Sequence, residues 1–272
     1  ETEALMRWLA RGAAAAVAWL AATASGVTID YVAVGNPGNP ANINGWGTVA
    51  EAFMISKLET TNAQYVEFLN KVDTAGTNPN GIYNSQMASD ALGGITFNAA
   101  AAAGSKYAVK PGAPPGSPAG TNYGAMPVDF VTWFSAARFA NWLQNGQRAD
   151  AASMERGSYQ LDSQLSGTIV ARSPGSGSQV VLPSRDEWYK SAFYNGIGYT
   201  LYPCNANNPM TNTVTNLTLP CAANFGGPDT PTVGPINVGS YVNSPSAYGL
   251  YDMFGNIAEY SDTAGTLSDA SR

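Results

Sequence analysis

Tyr248-Gly249-Leu250-Tyr251-Asp252-Met253-Phe254-Gly255-Asn256-Ile257-Ala258-Glu259-Tyr260 is the stretch that decides how this chain is read. It sets the carboxylates of Asp252 and Glu259 and the amide of Asn256 close together, with Gly255 among them. Oxygen donors at this spacing suit a hard cation such as calcium. A glycine at the centre can adopt positive φ and turn neighbouring carbonyls toward a common point. The same spacing also describes a polar turn between two apolar strands. Residue types alone leave both readings open.

Composition narrows the class. The chain has 272 residues, 44% hydrophobic and only 12% charged, with 29 Gly and 17 Pro. That mix predicts a compact, loop-rich protein with short regular elements. The formal charge is −6 and the 13 Lys and Arg are scattered. No basic run is present to meet nucleic acid or an anionic membrane surface. There is no histidine. This excludes a Ser-His-Asp triad, a His-ligated zinc and a His-based non-haem iron site.

Arg7 and Arg11, the apolar run from Gly12 to Ala22 and the small-x-small Ala22-Thr23-Ala24 have the pattern of a secretory signal. Met6–Ala24 reads as the signal and Glu1–Leu5 as residues upstream of it. One domain would follow over 25–272, in a secreted or periplasmic protein with no transmembrane span in its mature form. Cys204 and Cys221 fit that compartment, flanking a polar, Asn- and Thr-rich segment of the kind a structural disulfide staples. A reactive dithiol would want a basic neighbour to lower its pKa, and none is close in sequence.

Three further stretches carry local structure. Thr61 with Gln64 three residues on forms a capping box, and Tyr65, Phe68, Leu69 and Val72 follow at helical spacing. Thr132 caps a second helix with Ala136, Phe139, Ala140 and Leu143 inward and Asn145-Gly146 at its end. Ser184 and Glu187 box a third, with Trp188, Ala192 and Phe193 packing inward. Strands are expected at Val27–Val34, Val49–Ile55, Gly94–Phe97, Tyr107–Lys110, Gly157–Leu161 and Thr168–Ala171, with Asn36–Gly47 as a loop.

Gly249-Leu250-Tyr251-Asp252-Met253-Phe254-Gly255-Asn256-Ile257-Ala258-Glu259-Tyr260 resembles the GLYDM-GN-WEW signature of the formylglycine-generating, sulfatase-modifying-factor family. Ala258 and Tyr260 stand where that family usually has tryptophan. Residues 59–69 resemble its E-V-T-N-A-Q-Y opening, in which Glu59, Thr61 and Asn62 are architectural. Residues 126–147 and 182–192 resemble two more of its motifs, and all four occur in the family's order. Val181 stands where the family often has arginine, and it reads as a surface position.

The resemblance implies an α+β, C-type-lectin-like fold, poor in regular structure and held by loops and calcium. It implies that Asp252 and Glu259 give side-chain oxygens to calcium, and Gly255 and Ile257 backbone carbonyls. A second calcium is implied at Asn224 and Phe225 with an Asp further on, for which Asp229 is a poor match. In the active enzymes a cysteine pair in a final segment, after an R-G-G-S motif, binds copper(I) and oxidises a substrate cysteine with oxygen. Residues 260–272 contain neither feature. Cys204 and Cys221 precede the decisive stretch and cannot be that pair. No catalytic residue is therefore named, and copper enters only if a further segment carries the thiols. The functions left are a non-catalytic family member binding a protein or glycan, and a fragment of an active oxidase.

Overall fold

Thr61, Thr132 and Ser184 each accept a hydrogen bond from the backbone N–H three residues ahead, and each starts a helix. The computed structural model describes residues 26–175, 178–226 and 234–263, with the backbone of 4–6 and 9–11. Among these, the elements in chain order begin with β1 (Ala4–Met6), β2 (Leu9–Arg11), β3 (Tyr31–Val34) and β4 (Phe53–Ser56). Then come α1 (Asn62–Val72), α2 (Gln86–Ser89), β5 (Ile95–Phe97) and β6 (Tyr107–Val109). α3 (Trp133–Gln144), α4 (Ala152–Glu155), β7 (Val180–Val181) and α5 (Arg185–Phe193) follow. β8 (Thr211–Asn212), β9 (Ala222–Ala223) and β10 (Ala258–Tyr260) close the order. Short helices and short strands are mixed along the chain, an α+β arrangement.

One four-stranded sheet has the order β3-β4-β2-β7, and three two-stranded pairs join β1 to β10, β5 to β6 and β8 to β9. β3 and β4 are antiparallel, with Val34 opposite Phe53 and Val32 opposite Ile55. β1 runs from the residues read as upstream of a leader to Met6 at its start, and β2 lies within the stretch read as that leader. Residues 7–8 and 12–25 of that segment lie outside the described residues.

The core is an aromatic seam between α1 and α3. Phe68 meets Phe139 edge-on at 5.3 Å and Trp142 at 5.3 Å, while Tyr65 stacks on Phe139 at 5.9 Å. All four rings are fully buried. Each contributes about 2–3 kcal/mol through removal from water. α3 is not amphipathic as its spacing predicted. Its residues from Trp133 to Trp142 are buried without a break, whereas Leu143 is half-exposed. The helix runs through the middle of the domain, and α4 packs on a side that would otherwise face water. Arg138, fully buried on α3, donates from Nε to Glu155 Oε1 at 2.7 Å and from Nη2 to the Gln164 carbonyl at 2.9 Å.

Two expected strands do not form. Residues 157–161 hold only an isolated bridge between Arg156 and Gln160, and 168–171 are irregular. Val181 is not a surface residue: it lies fully buried in β7, which pairs with β2. A buried strand position favours a β-branched apolar side chain over arginine.

The loop 36–47 is strapped across α5. Asp186 Oδ1 accepts from the Gly47 N–H at 2.9 Å, and Tyr189 Oη accepts from Asn42 Nδ2 at 2.7 Å. The ammonium of Lys190, wholly buried, donates to the Asn36 carbonyl at 2.8 Å. Burial lowers the Lys190 pKa from 10.5 to about 8. The unfolded amine keeps its proton above the pH at which the folded one loses it, so stability should rise between about pH 8 and 10.5. Burial raises Tyr199 and Tyr248 to about 12, so the folded phenols hold protons longer and the trend reverses above pH 10. Urea unfolding across this range is expected to trace a maximum, and Lys190→Met should remove the rising limb.

Candidate functional site

The apolar residues of the decisive stretch point inward and force its polar residues into a turn. Leu250 and Met253 are buried, and the chain reverses before them, where the Gly249 N–H donates to the Ser246 carbonyl at 2.8 Å. Three residues then take left-handed backbone: Asp252 at φ 56°, Gly255 at 81° and Asn256 at 59°. Asp and Asn tolerate this region better than other L-residues, because their short side chains bond locally.

Gly255 is required twice over. Its φ is positive, and a Cβ there would collide with the Asn224 carbonyl oxygen and crowd Phe225. The close approach has a purpose: the Asn256 N–H donates to that same Asn224 carbonyl at 2.7 Å. Phe225 and Phe254 meet edge-on at 5.1 Å. The stretches 224–225 and 252–259, read in sequence as two cation sites, are thus in direct contact.

Asn256 knits the turn to distant chain. Its Oδ1 accepts from the Ile236 N–H at 2.9 Å, and its Nδ2 donates to both oxygens of Glu59 at 3.2 and 3.3 Å. Glu59 is itself buried just ahead of α1. The architectural reading of Glu59 therefore has a concrete partner, and the amide of Asn256 is spent on structure. Asn62 acts likewise, donating from Nδ2 to the Tyr123 carbonyl at 2.8 Å.

The two carboxylates engage different elements. Asp252 Oδ2 accepts from the Gly239 N–H at 2.6 Å. Glu259, buried on β10, accepts from the Trp188 indole on α5. Gly239 and Trp188 were missed as site neighbours. They lie 13 and 71 residues from their partners, and no local pattern links them. The Gly255 carbonyl accepts from the Ile257 N–H at 2.8 Å. The Asn224 side chain donates to the Gly234 carbonyl at 2.7 Å. Asp229 lies outside the described residues.

The groups read in sequence as calcium ligands are oxygens throughout: the carboxylates of Asp252 and Glu259 and the carbonyls of Gly255 and Ile257. That chemistry suits calcium, which an ion would share with the hydrogen-bond donors already present, since each carboxylate has several lone pairs. Among the described residues no group of three or more His, Cys, Asp or Glu side chains could hold a metal ion. Beside Asp252 a cavity of about 10 Å³ is lined by Met210, Tyr241, Ser244 and Met253, room for a water-sized occupant and not for an organic cofactor. Tyr241 is raised above the usual phenol range by burial and then by the Asp252 charge.

A second cluster fixes α5 beneath the turn. The Arg172 guanidinium bonds Glu187 Oε2 at 2.8 Å, the Leu182 carbonyl at 2.6 Å and the Asp262 carboxylate. The Tyr159 hydroxyl joins it, accepting from the Leu182 N–H at 2.9 Å. Both carboxylates are buried, so the cluster is charge-paired structure.

Cys204 and Cys221 form a disulfide with Cα atoms 5.2 Å apart, and no free cysteine remains. The bond closes a loop of sequence separation 17 that carries β8 and ends against β9. Its reduction is expected to cost about 3 kcal/mol through the unfolded state, seen as a lower urea midpoint in thiol-containing buffer. Among the described residues no helix is long and apolar enough to cross a membrane.

No curated protein and no solved structure matches the chain. The family described as the sulfatase-modifying factor enzyme 1-like domain matches residues 42–266. That span contains α1, α3, α5, the disulfide and the whole of the turn that ends at Glu259. The chain belongs to the sulfatase-modifying factor enzyme 1-like family.

Proposed function

We propose that this chain is a secreted, bacterial-type sulfatase-modifying-factor-like domain of C-type-lectin-like fold, stabilised by calcium, that binds a protein or glycan, and that residues 1–272 do not by themselves bind copper(I). The observation that bears on copper is the disulfide. Copper(I) needs soft thiolate or thioether donors, and both cysteines of the sequence are bonded to each other. Asp252, Gly255, Ile257 and Glu259 would hold the calcium, with Asn224 and Phe225 against them. Calcium bound there would supply a fixed positive centre that pins the turn between β10 and the 237–241 loop.

Two measurements test this reading. A sulfatase-type peptide with a reactive cysteine, incubated with the protein, copper(I) and oxygen, is expected to gain no aldehyde. Conversion to formylglycine would overturn the proposal in favour of the oxidase. Calcium at about a hundred times its dissociation constant should stabilise the fold by about 2.7 kcal/mol, since it is a ligand of the folded state alone. The gain should vanish in chelator and in Asp252→Asn. Melting curves that coincide with calcium and chelator would remove the ion from the account.

A further inference from the structure

β2 lies between β4 and β7 and is antiparallel to both. Leu9 is opposite Ile55 on one side and Val181 on the other, and Ala10 is opposite Met54 and Val180. β1, just ahead of it, runs parallel to β10 with Leu5 opposite Glu259. In the sheet order β3-β4-β2-β7, no other strand among the described residues joins β7 to β4. Take β2 away and both flanking strands present a row of N–H and C=O groups to a gap. Phe53, Ile55 and Val181, all buried, border that gap. Unpaired backbone groups among apolar side chains are costly, and a row of them is a template for one more strand. The residues that fill the gap are also those whose sequence reads as the beginning of a leader.

We propose that the gap between β4 and β7 is a strand-accepting site, filled in cis by Leu9–Arg11, and that it takes the same extended peptide in trans once the connection to the domain is cut. The recognition is a backbone ladder on two sides, the mode by which an extended peptide adds to a sheet edge. It differs from ordinary edge addition in that the guest is paired on both sides, at Leu9 and Ala10, as a central strand.

Engineered cysteine pairs in the full chain test the register. Opposed residues of an antiparallel pair sit roughly 4.5–5.5 Å apart at Cα, within the range a disulfide spans. Ala10→Cys with Met54→Cys, and Ala10→Cys with Val180→Cys, are expected to crosslink under mild oxidation. Ala10→Cys with Ile55→Cys is not, because neighbouring side chains on a strand point to opposite faces. Equal crosslinking of the slipped pair, or none in either opposed pair, overturns the proposal. Should a variant fail to fold, hydrogen exchange on the unaltered chain decides. Leu9–Arg11 amides protected together with β4 support the site, and free exchange there overturns it.

The trans arm uses a protease site placed within residues 12–25, cut after folding. A labelled peptide spanning residues 1–14 is expected to replace the cut fragment saturably. The same peptide with Ala10→Pro should not, since proline lacks the N–H a central strand must donate. Release of the fragment with no uptake of the labelled peptide, or equal uptake of the proline peptide, overturns the site.

Discussion

Gly255→Ala is expected to destabilise the protein by roughly 3–5 kcal/mol, lowering the melting temperature by about 10 °C. Two effects add. An L-residue at φ 81° is strained, and its Cβ would collide with the Asn224 carbonyl and crowd Phe225. The first atom it meets is backbone and cannot swing away. Relief requires the turn to part from residues 224–225, which breaks the bond from the Asn256 N–H to Asn224. Gly249 supplies the control. Its φ is 87°, but a Cβ there meets nothing within 4 Å. Gly249→Ala should therefore cost only about 1 kcal/mol. Equal effects at the two positions would mean that backbone strain alone matters and that the contact with Asn224 does not.

Arg172→Met is expected to cost about 3–5 kcal/mol, because it takes the guanidinium away from two buried carboxylates. Glu187 and Asp262 side chains are only 1% and 7% exposed. The pair Arg148 and Asp150, at 70% and 41%, is the exposed comparison. Its removal should stay within about 0.5 kcal/mol. Adding Glu187→Gln to Arg172→Met should recover part of the loss. Glutamine removes the buried charge and still closes the capping box with Ser184. If the double variant is no more stable than Arg172→Met, the cost comes from lost packing of the arginine stem and not from unpaired charge.

Helix starts were legible because their causes are local. Thr61 with Gln64 and Ser184 with Glu187 are contacts three residues apart, and both boxes form as the spacing predicts. The β5 and β6 strands were legible from composition, although each is trimmed at one end. Residues 157–161 misled because the backbone of Tyr159, at their centre, bonds to a side chain and not to a strand. The Tyr159 N–H donates to Asn141 Oδ1 at 2.9 Å, and Asn141 Nδ2 returns a bond to the Tyr159 carbonyl at 2.9 Å. One amide on α3 does the work of a strand partner, and no pattern within 157–161 reveals it. Lys190 was read past for a related reason. A lysine in an exposed turn of helix is ordinary, and its burial follows from the strap formed by residues 36–47, far away in sequence.

The candidate site was legible as a set of residues and not as a geometry. Gly255 declared itself through its place between polar residues, and the contact with Asn224 and Phe225 explains why glycine stands there. The partners of Asp252 and Glu259 could not be read, because Gly239 and Trp188 reach them through the tertiary fold. Asn256 stood out in the sequence beside the two carboxylates, yet its side chain serves Glu59 and Ile236. Its chemistry is that of a linchpin.

A crystal grown in calcium and measured for anomalous scattering tests the central claim most directly. The expected result is one anomalous peak bound by Asp252, the carbonyls of Gly255 and Ile257, and Glu259. No peak at the turn in excess calcium, with Glu259 still on the Trp188 indole, would contradict it. The turn would then be held by its hydrogen bonds alone.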